Sequence, residues 1–211
     1  MQNEILIVTE ENYQDFIRAL CDRDRDLRNV VENFGEPPIW IRPAGFPTLV
    51  HIVLEQQVSL ASARAAYEKL KRAIGEGFTP ESFLLLSDDE LKSCGFSRQK
   101  IIYTRNLATA IVAGDLDLTA LENLSDDAVK KELIKLKGIG RWTADIYLLM
   151  CLCRADAFPV GDLGLIVGAQ EVKNLEQRPT PDELELIGEI WKPLRAVAAR
   201  IIWHHYLSRR N

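Results

Sequence analysis

The sequence predicts an all-α protein, and three observations lead to this prediction. Helix start and stop signals recur along the 211 residues, and the segments between them carry apolar residues at helical spacing. The alternation typical of strands is confined to the run ILIV near the start. The composition, 47% hydrophobic and 27% charged, is that of a globular protein with a sizeable core, and it excludes a disordered or collagen-like chain.

The N-terminal part of the chain contains two predicted helical regions. The first helix is expected to run from about Asn12 into the region of Val30. The proline-rich stretch GEPPIWIRPAGFP that follows is expected to be irregular. The long apolar-periodic segment TLVHIVLEQQVSLASARAAYEKLKRAIG is predicted to be helical, with Gly75 as its C-cap.

Five polar residues stand where helix N-caps are expected. A Ser or Thr side chain in this position accepts a hydrogen bond from an amide of the first helical turn. Two of the five precede a proline at the first helical position, and another opens the capping-box sequence SDDE. The predicted caps are Thr79, Ser87, Ser97, Ser125 and Thr180.

The stretch from Arg141 to Cys153 is apolar on nearly every face, which predicts a central buried helix. Its most apolar run, IYLLMCLCRA, is much shorter than a membrane span, so no membrane association is expected. Pro193 is expected to break or kink the C-terminal helical region before Leu194 to Leu207.

The four cysteines have no disulfide-framework spacing, and the N-terminal apolar run lacks a basic leader. These features favour a reducing compartment. The expected location is the cytoplasm, in association with the nucleoid, if the source is a bacterium, and the nucleus if it is a eukaryote.

The stretch LKGIGRW, from Leu136 to Trp142, predicts a glycine turn between two helices. Backbone amides at such a turn and at the start of the second helix form an anion site, and a phosphate is the obvious anion. The alternative is that Gly138 is only a C-cap and Gly140 only permits a tight corner. The net charge of −5 does not favour a nucleic-acid partner, but basic residues cluster locally at Lys130, Lys131, Lys135, Lys137 and Arg141.

Four stretches in the chain resemble the HhH-GPD superfamily of DNA base-excision glycosylases. They are FPTLVHIVLEQQVSLASARAAYEKL, GFSRQKIIYTRNLA, LKGIGRWTADIY and WKPLRAVAARIIW, in the order of the family, covering roughly residues 46 to 203. The resemblance is closest to the alkylation-repair branch, 3-methyladenine DNA glycosylase II. It implies one glycosylase core over residues 1–211, with a helix-hairpin-helix at about 126–150. Lobe A would span about 46–136, lobe B about 1–45 plus 137–211, and a cleft would lie between the lobes.

The resemblance also assigns a catalytic carboxylate to Asp162 in AFPVGDLGL, twenty residues after Trp142. A fixed carboxylate stabilises an oxocarbenium-like sugar and orients water. The alternative is that Asp162 only caps the following helix. Asp145 is the competing carboxylate, but its place in the buried helix favours an internal polar contact.

Trp142 stands where lyase-active members of the family carry a Schiff-base lysine. Indole is not a nucleophile for this chemistry, so the resemblance implies a monofunctional hydrolase. No cofactor is expected apart from a monovalent cation that the hairpin turn could bind. The four clustered cysteines of an iron–sulfur cluster are missing near the C-terminus, and His51, His204 and His205 have no metal-ligand spacing, so no metal site is expected.

Two tryptophans, Trp142 and Trp203, are assigned by the resemblance to the pocket for the damaged base, and Trp40 is a further candidate. Alkylation gives a purine a positive charge, which an indole face attracts. Core packing is the alternative for each, and it is preferred for Trp191.

Contacts to the DNA backbone are expected from the hairpin and from the start of the helix after Gly95. The hairpin candidates are Lys137, Gly138, Ile139, Gly140, Arg141 and Thr143, and the others are Ser97, Arg98 and Lys100. A solvated surface is the alternative for Ser97, Arg98 and Lys100.

The resemblance places the wedge that fills the gap left by a flipped base at Gln56 or Gln57. Glu55 departs from the family pattern, because an acid here would repel a phosphate unless it faces inward. Ile146 stands where some relatives have an aromatic residue.

The expected function is hydrolysis of the N-glycosidic bond of alkylated purines, of the 3-methyladenine and 7-methylguanine type, after base flipping. The expected partner is double-stranded DNA with damaged bases, bound by a monomer. The alternatives are a non-catalytic hairpin module that binds damaged DNA, a glycosylase for lesions such as ethenoadenine or hypoxanthine, a lyase-active enzyme for oxidised bases and a helical protein-binding scaffold.

Overall fold

A computed structural model describes residues 5–210 of the chain. In this range the protein is helical and has no β-strand, which confirms the all-α prediction. The ILIV run contributes an isolated antiparallel bridge between Ile7 and Arg154.

Twelve α-helices follow one another in the described range, together with two short 3-10 turns. Their bounds are α1 Tyr13–Arg23, α2 Arg25–Phe34, α3 Phe46–Glu55, α4 Leu60–Ile74, α5 Pro80–Leu84, α6 Asp88–Ser93, α7 Arg98–Val112, α8 Asp126–Ile134, α9 Arg141–Met150, α10 Leu163–Val172, α11 Pro181–Gly188 and α12 Arg195–Ser208. None of these helices is long and apolar enough to span a membrane.

The chain divides into two compact units. The terminal unit comprises the chain up to Ile41 and from Leu148 onward, and the central unit runs from Arg42 to Tyr147. The sequence predicts the second boundary at about residue 136. In the structure, the hairpin turn and α9 as far as Tyr147 belong to the central unit, because their contacts are made there.

The first predicted helix is in fact two helices. Asp24 has an extended backbone (φ −135°, ψ 108°) that separates α1 from α2. Its carboxylate accepts hydrogen bonds from the amides of Asp26 and Leu27, and it is therefore the N-cap of α2. The apolar spacing continues across the break, so periodicity alone did not reveal it.

The long segment after the proline-rich stretch is also interrupted. α3 ends at Glu55 and α4 begins at Leu60, with the Ser59 hydroxyl accepting a hydrogen bond from the Ser62 amide. Gln57, in the intervening turn, has a positive φ of 57°. Gly75 ends α4 with a φ of 77°, as predicted.

The predicted N-caps are confirmed. Each side chain accepts a hydrogen bond from the amide three residues further along, and three of the caps form complete capping boxes. The capping residues are Thr79, Ser87, Ser97, Ser125 and Thr180.

Each unit has one helix at its core. In the central unit, the fully buried residues of α3 pack against α4 and α7. In the terminal unit, α12 packs against α1, α2 and α10.

Two predictions about single helices are confirmed. α12 begins at Arg195, directly after the Lys192–Pro193 bend, as the proline predicted. α9 is buried from Thr143 to Leu149, which agrees with the predicted buried helix.

A fully buried arginine, Arg200 of α12, joins three segments of the terminal unit. Its guanidinium donates to the carbonyl oxygens of Ile39 at 2.6 Å, Leu149 at 2.9 Å and Ala196 at 3.0 Å. Because Ile39 precedes Trp40, this contact fixes the backbone next to a candidate pocket residue.

Candidate functional site

The turn between α8 and α9 contains the two glycines of the GIG motif, and Gly138 is required by the fold itself. Its φ is 99°, a conformation that side chains rarely adopt. A Cβ at this position would lie 2.0 Å from the Tyr103 ring. Ile139 is 4% exposed and packs into the core, so only its backbone is available for an external contact.

Gly140 is different from Gly138. It has no positive φ, it is exposed, and a Cβ built on it would meet nothing within 4 Å. The fold therefore has no steric need for glycine here. A missing side chain at the start of α9 instead allows another molecule to approach the turn closely, next to the positive end of the helix dipole.

A buried carboxylate joins the two helices of the hairpin. Asp145 of α9 is 1% exposed, and its Oδ1 lies 2.7 Å from Lys130 Nζ of α8. The Arg141 side chain approaches the same carboxylate at 3.7 Å. Asp145 therefore makes the expected internal contact, and Lys130 is engaged in the hairpin rather than belonging to a free basic surface.

Gln56 does not point to solvent. Its Nε2 donates hydrogen bonds to the Gly138 carbonyl oxygen and to Thr143 Oγ1, both at 2.9 Å. Thr143 is 1% exposed, so the geometry does not offer its side chain for the expected DNA contact. Of the two wedge candidates, Gln57 is the exposed one.

The remaining predicted DNA contacts divide into exposed and engaged residues. Lys137, Arg98 and Arg141 are exposed, and the Arg141 side chain is 60% accessible. Ser97 caps α7. Lys100 donates from Nζ to the Leu54 carbonyl oxygen at 2.6 Å, and burial lowers the pKa of its ammonium group. Lys100 therefore holds the end of α3.

Glu55, the departure from the family pattern, faces inward. Its carboxylate is 7% exposed and forms two hydrogen bonds with the Arg42 guanidinium, at 2.8 and 3.0 Å. The paired charge is compensated within the central unit, which removes the expected repulsion of a phosphate.

Asp162 is the N-cap of α10, with φ −78° and ψ 123°. Its Oδ1 accepts hydrogen bonds from the Leu165 amide and from the Trp203 indole Nε1, both at 2.8 Å. A Cβ on Gly164 would lie 3.2 Å from the same oxygen, so a glycine here leaves room for the carboxylate. Asp162 therefore caps α10, as the alternative interpretation predicted. The residue is partly exposed, and two donors hold its Oδ1.

The four tryptophans have different settings. Trp203 is 9% exposed and is bound through its N–H to Asp162. Trp40 is partly exposed and has a φ of 47°. Trp142 is partly exposed at the second residue of α9. Trp191 is fully buried, which agrees with the preferred core role.

No group of three or more His, Cys, Asp or Glu side chains within residues 5–210 is arranged to hold a metal ion. The histidines have other contacts. His51 stacks on the Tyr67 ring, with centroids 4.2 Å apart, and His205 Nε2 lies 3.1 Å from a Glu171 oxygen. His204 Nε2 lies 2.9 Å from the Phe34 carbonyl oxygen.

Sequence reasoning missed the roles of Gln56, Tyr103 and Arg200. Nothing in the sequence distinguishes Gln56 from Gln57, because their partners lie more than eighty residues away. Tyr103 and Gly138 are closer in sequence than the partners of Gln56, but they are still too far apart for a local pattern to reveal their contact. For Arg200 there was a signal, since one charge interrupts the apolar run AVAARIIW and must find partners if the helix is buried.

The chain is similar to known proteins in both sequence and structure. Residues 50–193 match the family described as HhH-GPD superfamily base excision DNA repair protein. DNA-3-methyladenine glycosylase 1 of Schizosaccharomyces pombe is 30% identical over 205 residues, covering 96% of this chain and 90% of the relative. The solved structure of the 3-methyladenine DNA glycosylase of S. pombe in complex with abasic DNA superimposes with a TM-score of 0.81 at 28% identity, covering 91% of this chain and 95% of that one.

A putative DNA-3-methyladenine glycosylase of Bacillus subtilis strain 168 is 27% identical over 184 residues. The match covers 84% of this chain but 64% of that relative, so the present chain corresponds to somewhat less than two thirds of its length.

Proposed function

This chain belongs to the HhH-GPD superfamily of base excision DNA repair proteins, and we propose that it is a monofunctional DNA glycosylase for alkylated purines. The proposed substrates are bases of the 3-methyladenine and 7-methylguanine type in double-stranded DNA. The observation that carries the proposal is the partly exposed Asp162 carboxylate, held by the Leu165 amide and the Trp203 indole. The names of the relatives, which are 3-methyladenine glycosylases, support the substrate class.

In the proposed reaction, water replaces the damaged base at the sugar carbon. As the bond to the base breaks, positive charge develops on the sugar ring, and the Asp162 carboxylate stabilises it. The same carboxylate accepts a proton from the attacking water. The two donors to Oδ1 keep the carboxylate in one orientation, so little reorganisation is needed during the reaction.

An alkylated purine is a good leaving group because it already carries a positive charge. No strong general acid is then needed. The flipped base is proposed to stack on an indole face, and Trp203, whose N–H is bound to Asp162, lies beside the carboxylate in the same unit. An indole face attracts a cation and stacks without selecting one base.

The reaction is proposed to stop at an abasic site. Trp142 occupies the position at which the family's lyase-active members carry their amine nucleophile. Without an amine, no Schiff base forms with the sugar and the DNA backbone stays intact. Treatment with borohydride during the reaction is therefore expected to trap no covalent complex between protein and DNA.

The DNA backbone is proposed to bind at the hairpin turn. Gly140 leaves room for a phosphate, and the exposed Lys137 and Arg141 supply positive charge. Gln57 is the proposed wedge. The protein is proposed to act as a monomer and without a cofactor other than a monovalent cation that the hairpin turn could bind.

The test is release of free bases from methylated duplex DNA, with each base identified by mass. The wild-type protein is expected to release alkylated purines, whereas Asp162→Asn is expected to be slower by at least about 100-fold, the loss typical of removing one electrostatic stabiliser. DNA binding by the variant should be retained. Asp182→Asn, which changes an exposed aspartate of the same unit, is the matched control and should keep the wild-type rate.

Unchanged excision by Asp162→Asn would remove this residue from the catalytic role. If the wild-type protein released no base but bound DNA, the non-catalytic hairpin module would be the better description. Release of ethenoadenine or hypoxanthine from duplexes that carry those lesions, without release of methylated purines from methylated DNA, would identify the alternative substrate class.

A further inference from the structure

Gln56 connects two parts of the central unit that are far apart in sequence. Both N–H groups of its side-chain amide have acceptors, one the Gly138 carbonyl oxygen and the other Thr143 Oγ1. The first acceptor lies in the hairpin turn and the second in the first turn of α9. One amide therefore binds the turn and the helix that follows it.

The end of α3, which carries Gln56, is itself fixed on two other sides. Lys100 of α7 donates to the Leu54 carbonyl oxygen, and Arg42 holds Glu55 through two hydrogen bonds. Three consecutive residues at this helix end are thus bound to three different segments. A hairpin turn tied to this helix end has little freedom to move independently.

The next residue, Gln57, lies in the turn that follows this fixed helix end. It is exposed and has a φ of 57°, a conformation that is uncommon for a residue with a side chain. The bound Gln56 and the exposed Gln57 are adjacent, so the position of one determines the direction in which the other projects.

We infer that Gln56 is a positioning residue that holds the DNA-anchoring hairpin turn and the wedge residue Gln57 in one fixed register. A backbone phosphate bound at Gly140 then determines where Gln57 enters the duplex. This inference rests on the proposed function for the roles of the turn and of Gln57, whereas the brace itself is a property of the free protein.

The first experiment measures amide hydrogen exchange of the hairpin turn in the free protein. Gln56→Met has a similar length but no N–H donor, and it is expected to raise exchange at residues 137–144 by about tenfold, which corresponds to about 1.4 kcal/mol for the lost hydrogen bonds. Thr143→Val removes one acceptor and should give a smaller increase. The effects of the two changes should not add, because they remove the same interaction.

The second experiment measures affinity for undamaged duplex DNA and for a duplex with an abasic-site analogue, together with excision kinetics. Gln56→Met is expected to weaken binding to both duplexes and to raise KM by about tenfold, while kcat changes much less, because the reacting groups are untouched. Gln57→Ala should leave hairpin exchange unchanged and should weaken the damaged complex more than the undamaged one. Gln14→Ala, an exposed glutamine of α1, is the control for both experiments.

Unchanged exchange in Gln56→Met would overturn the brace. Faster exchange with unchanged affinity for both duplexes would overturn its role in DNA positioning. If wild-type protein bound DNA but released no base, the proposed glycosylase would fail while the exchange and affinity measurements would still decide the role of Gln56. Absence of DNA binding by the wild type would overturn both proposals.

Discussion

Two buried tryptophans of the terminal unit make the same kind of hydrogen bond in different settings. Trp203 donates its indole N–H to Asp162 at 2.8 Å, and Trp191 donates to Asp24 at 2.7 Å. Asp24 is 4% exposed and also binds Lys173, whereas Asp162 remains partly exposed. The same contact therefore orients an accessible carboxylate in one case and completes a buried network in the other.

This difference predicts that matched substitutions of the two tryptophans affect different properties, the excision rate for Trp203 and the stability of the fold for Trp191. Trp203→Phe keeps an aromatic ring but removes a donor to Asp162, and it is expected to lower kcat by about tenfold, as expected for one hydrogen bond to a charged group. Affinity for DNA should change little. Trp191→Phe should instead lower the urea midpoint of unfolding, with the excision rate of the folded variant unchanged. Urea titration and single-turnover excision of both variants make the comparison.

Equal rates for Trp203→Phe and wild type would show that the indole N–H does not contribute to the orientation of Asp162. Its ring alone would then account for any role in the base pocket. A large loss of kcat in Trp191→Phe, without loss of stability, would contradict the structural assignment of that residue.

The fold requires glycine at one of the two glycine positions of the hairpin turn but not at the other, and the sequence pattern does not show this difference. Gly138 satisfies a need of the protein, because of its positive φ and the neighbouring Tyr103 ring. Gly140 meets no such constraint from the fold. The alternative reading of the motif as a mere structural corner explains the first glycine and leaves the second without a reason.

Substituting alanine at Gly138 and at Gly140 in turn tests whether each glycine serves the fold or DNA binding. Gly138→Ala is expected to destabilise the protein by at least about 1 kcal/mol, the usual cost of a side chain at positive φ. Gly140→Ala is expected to leave the urea midpoint unchanged and to weaken binding to any duplex, because the methyl group occupies the space of the approaching phosphate. Affinity for undamaged DNA and the urea midpoint decide the outcome. Wild-type affinity in Gly140→Ala would indicate that the turn is only architectural.

Local signals predicted the helix starts well but missed two interruptions. A cap such as Ser87 or Ser125 acts on amides three residues away, so a short stretch of sequence contains the whole interaction. The breaks at Asp24 and at Gln57 are different, because apolar spacing continues across both. Asp24 also binds Lys173 and Trp191, and partners so distant in sequence leave no local mark.

For the whole molecule, the sequence predicted which groups the candidate site contains but not how they are held. Asp162 and the hairpin glycines were found from spacing and family resemblance. The hydrogen bond from Trp203 to Asp162 and the contact of Arg200 with Ile39 depend on how α12 packs in the terminal unit, which no local pattern encodes.

The chain carries a net charge of −5, so association with DNA depends on a few local cations rather than on the overall field. Three candidate cations are exposed, Arg98, Lys137 and Arg141. At about 0.9 per phosphate contact, the plot of log affinity against log salt should have a slope of about −3. A slope near zero would favour the protein-binding scaffold.

The stability of the molecule should depend on pH through the buried network around Asp24. Burial raises the pKa of the Asp24 carboxyl, but hydrogen bonds from Lys173 and Trp191 outweigh this effect and hold the pKa below its ordinary value. A carboxyl group with a lowered pKa stabilises the folded state at pH values above its pKa in the unfolded chain, about 3.9. This contribution is lost as the pH falls through the pKa of the folded state.

Lys173 behaves in the opposite sense. Burial lowers its pKa, but its bonds to Asp24 and Asp26 outweigh this effect and raise the pKa. Its contribution is fully present below about pH 10.4 and is lost as the pH rises through the folded value.

Asp24→Asn tests the acid side of this dependence. At neutral pH the variant is expected to unfold at a lower urea concentration than wild type, because Lys173 loses one of its two charged partners and keeps only Asp26. As the pH falls from about 3.9 through the lower folded pKa, the Asp24 carboxylate of the wild type takes up a proton, so the difference between the two proteins should shrink. Urea midpoints measured from pH 3 to pH 7 give this difference directly, with the exposed Asp182→Asn as the control. A difference that stays constant across the range would mean that Asp24 stabilises the fold by its shape and capping geometry, and not by its charge.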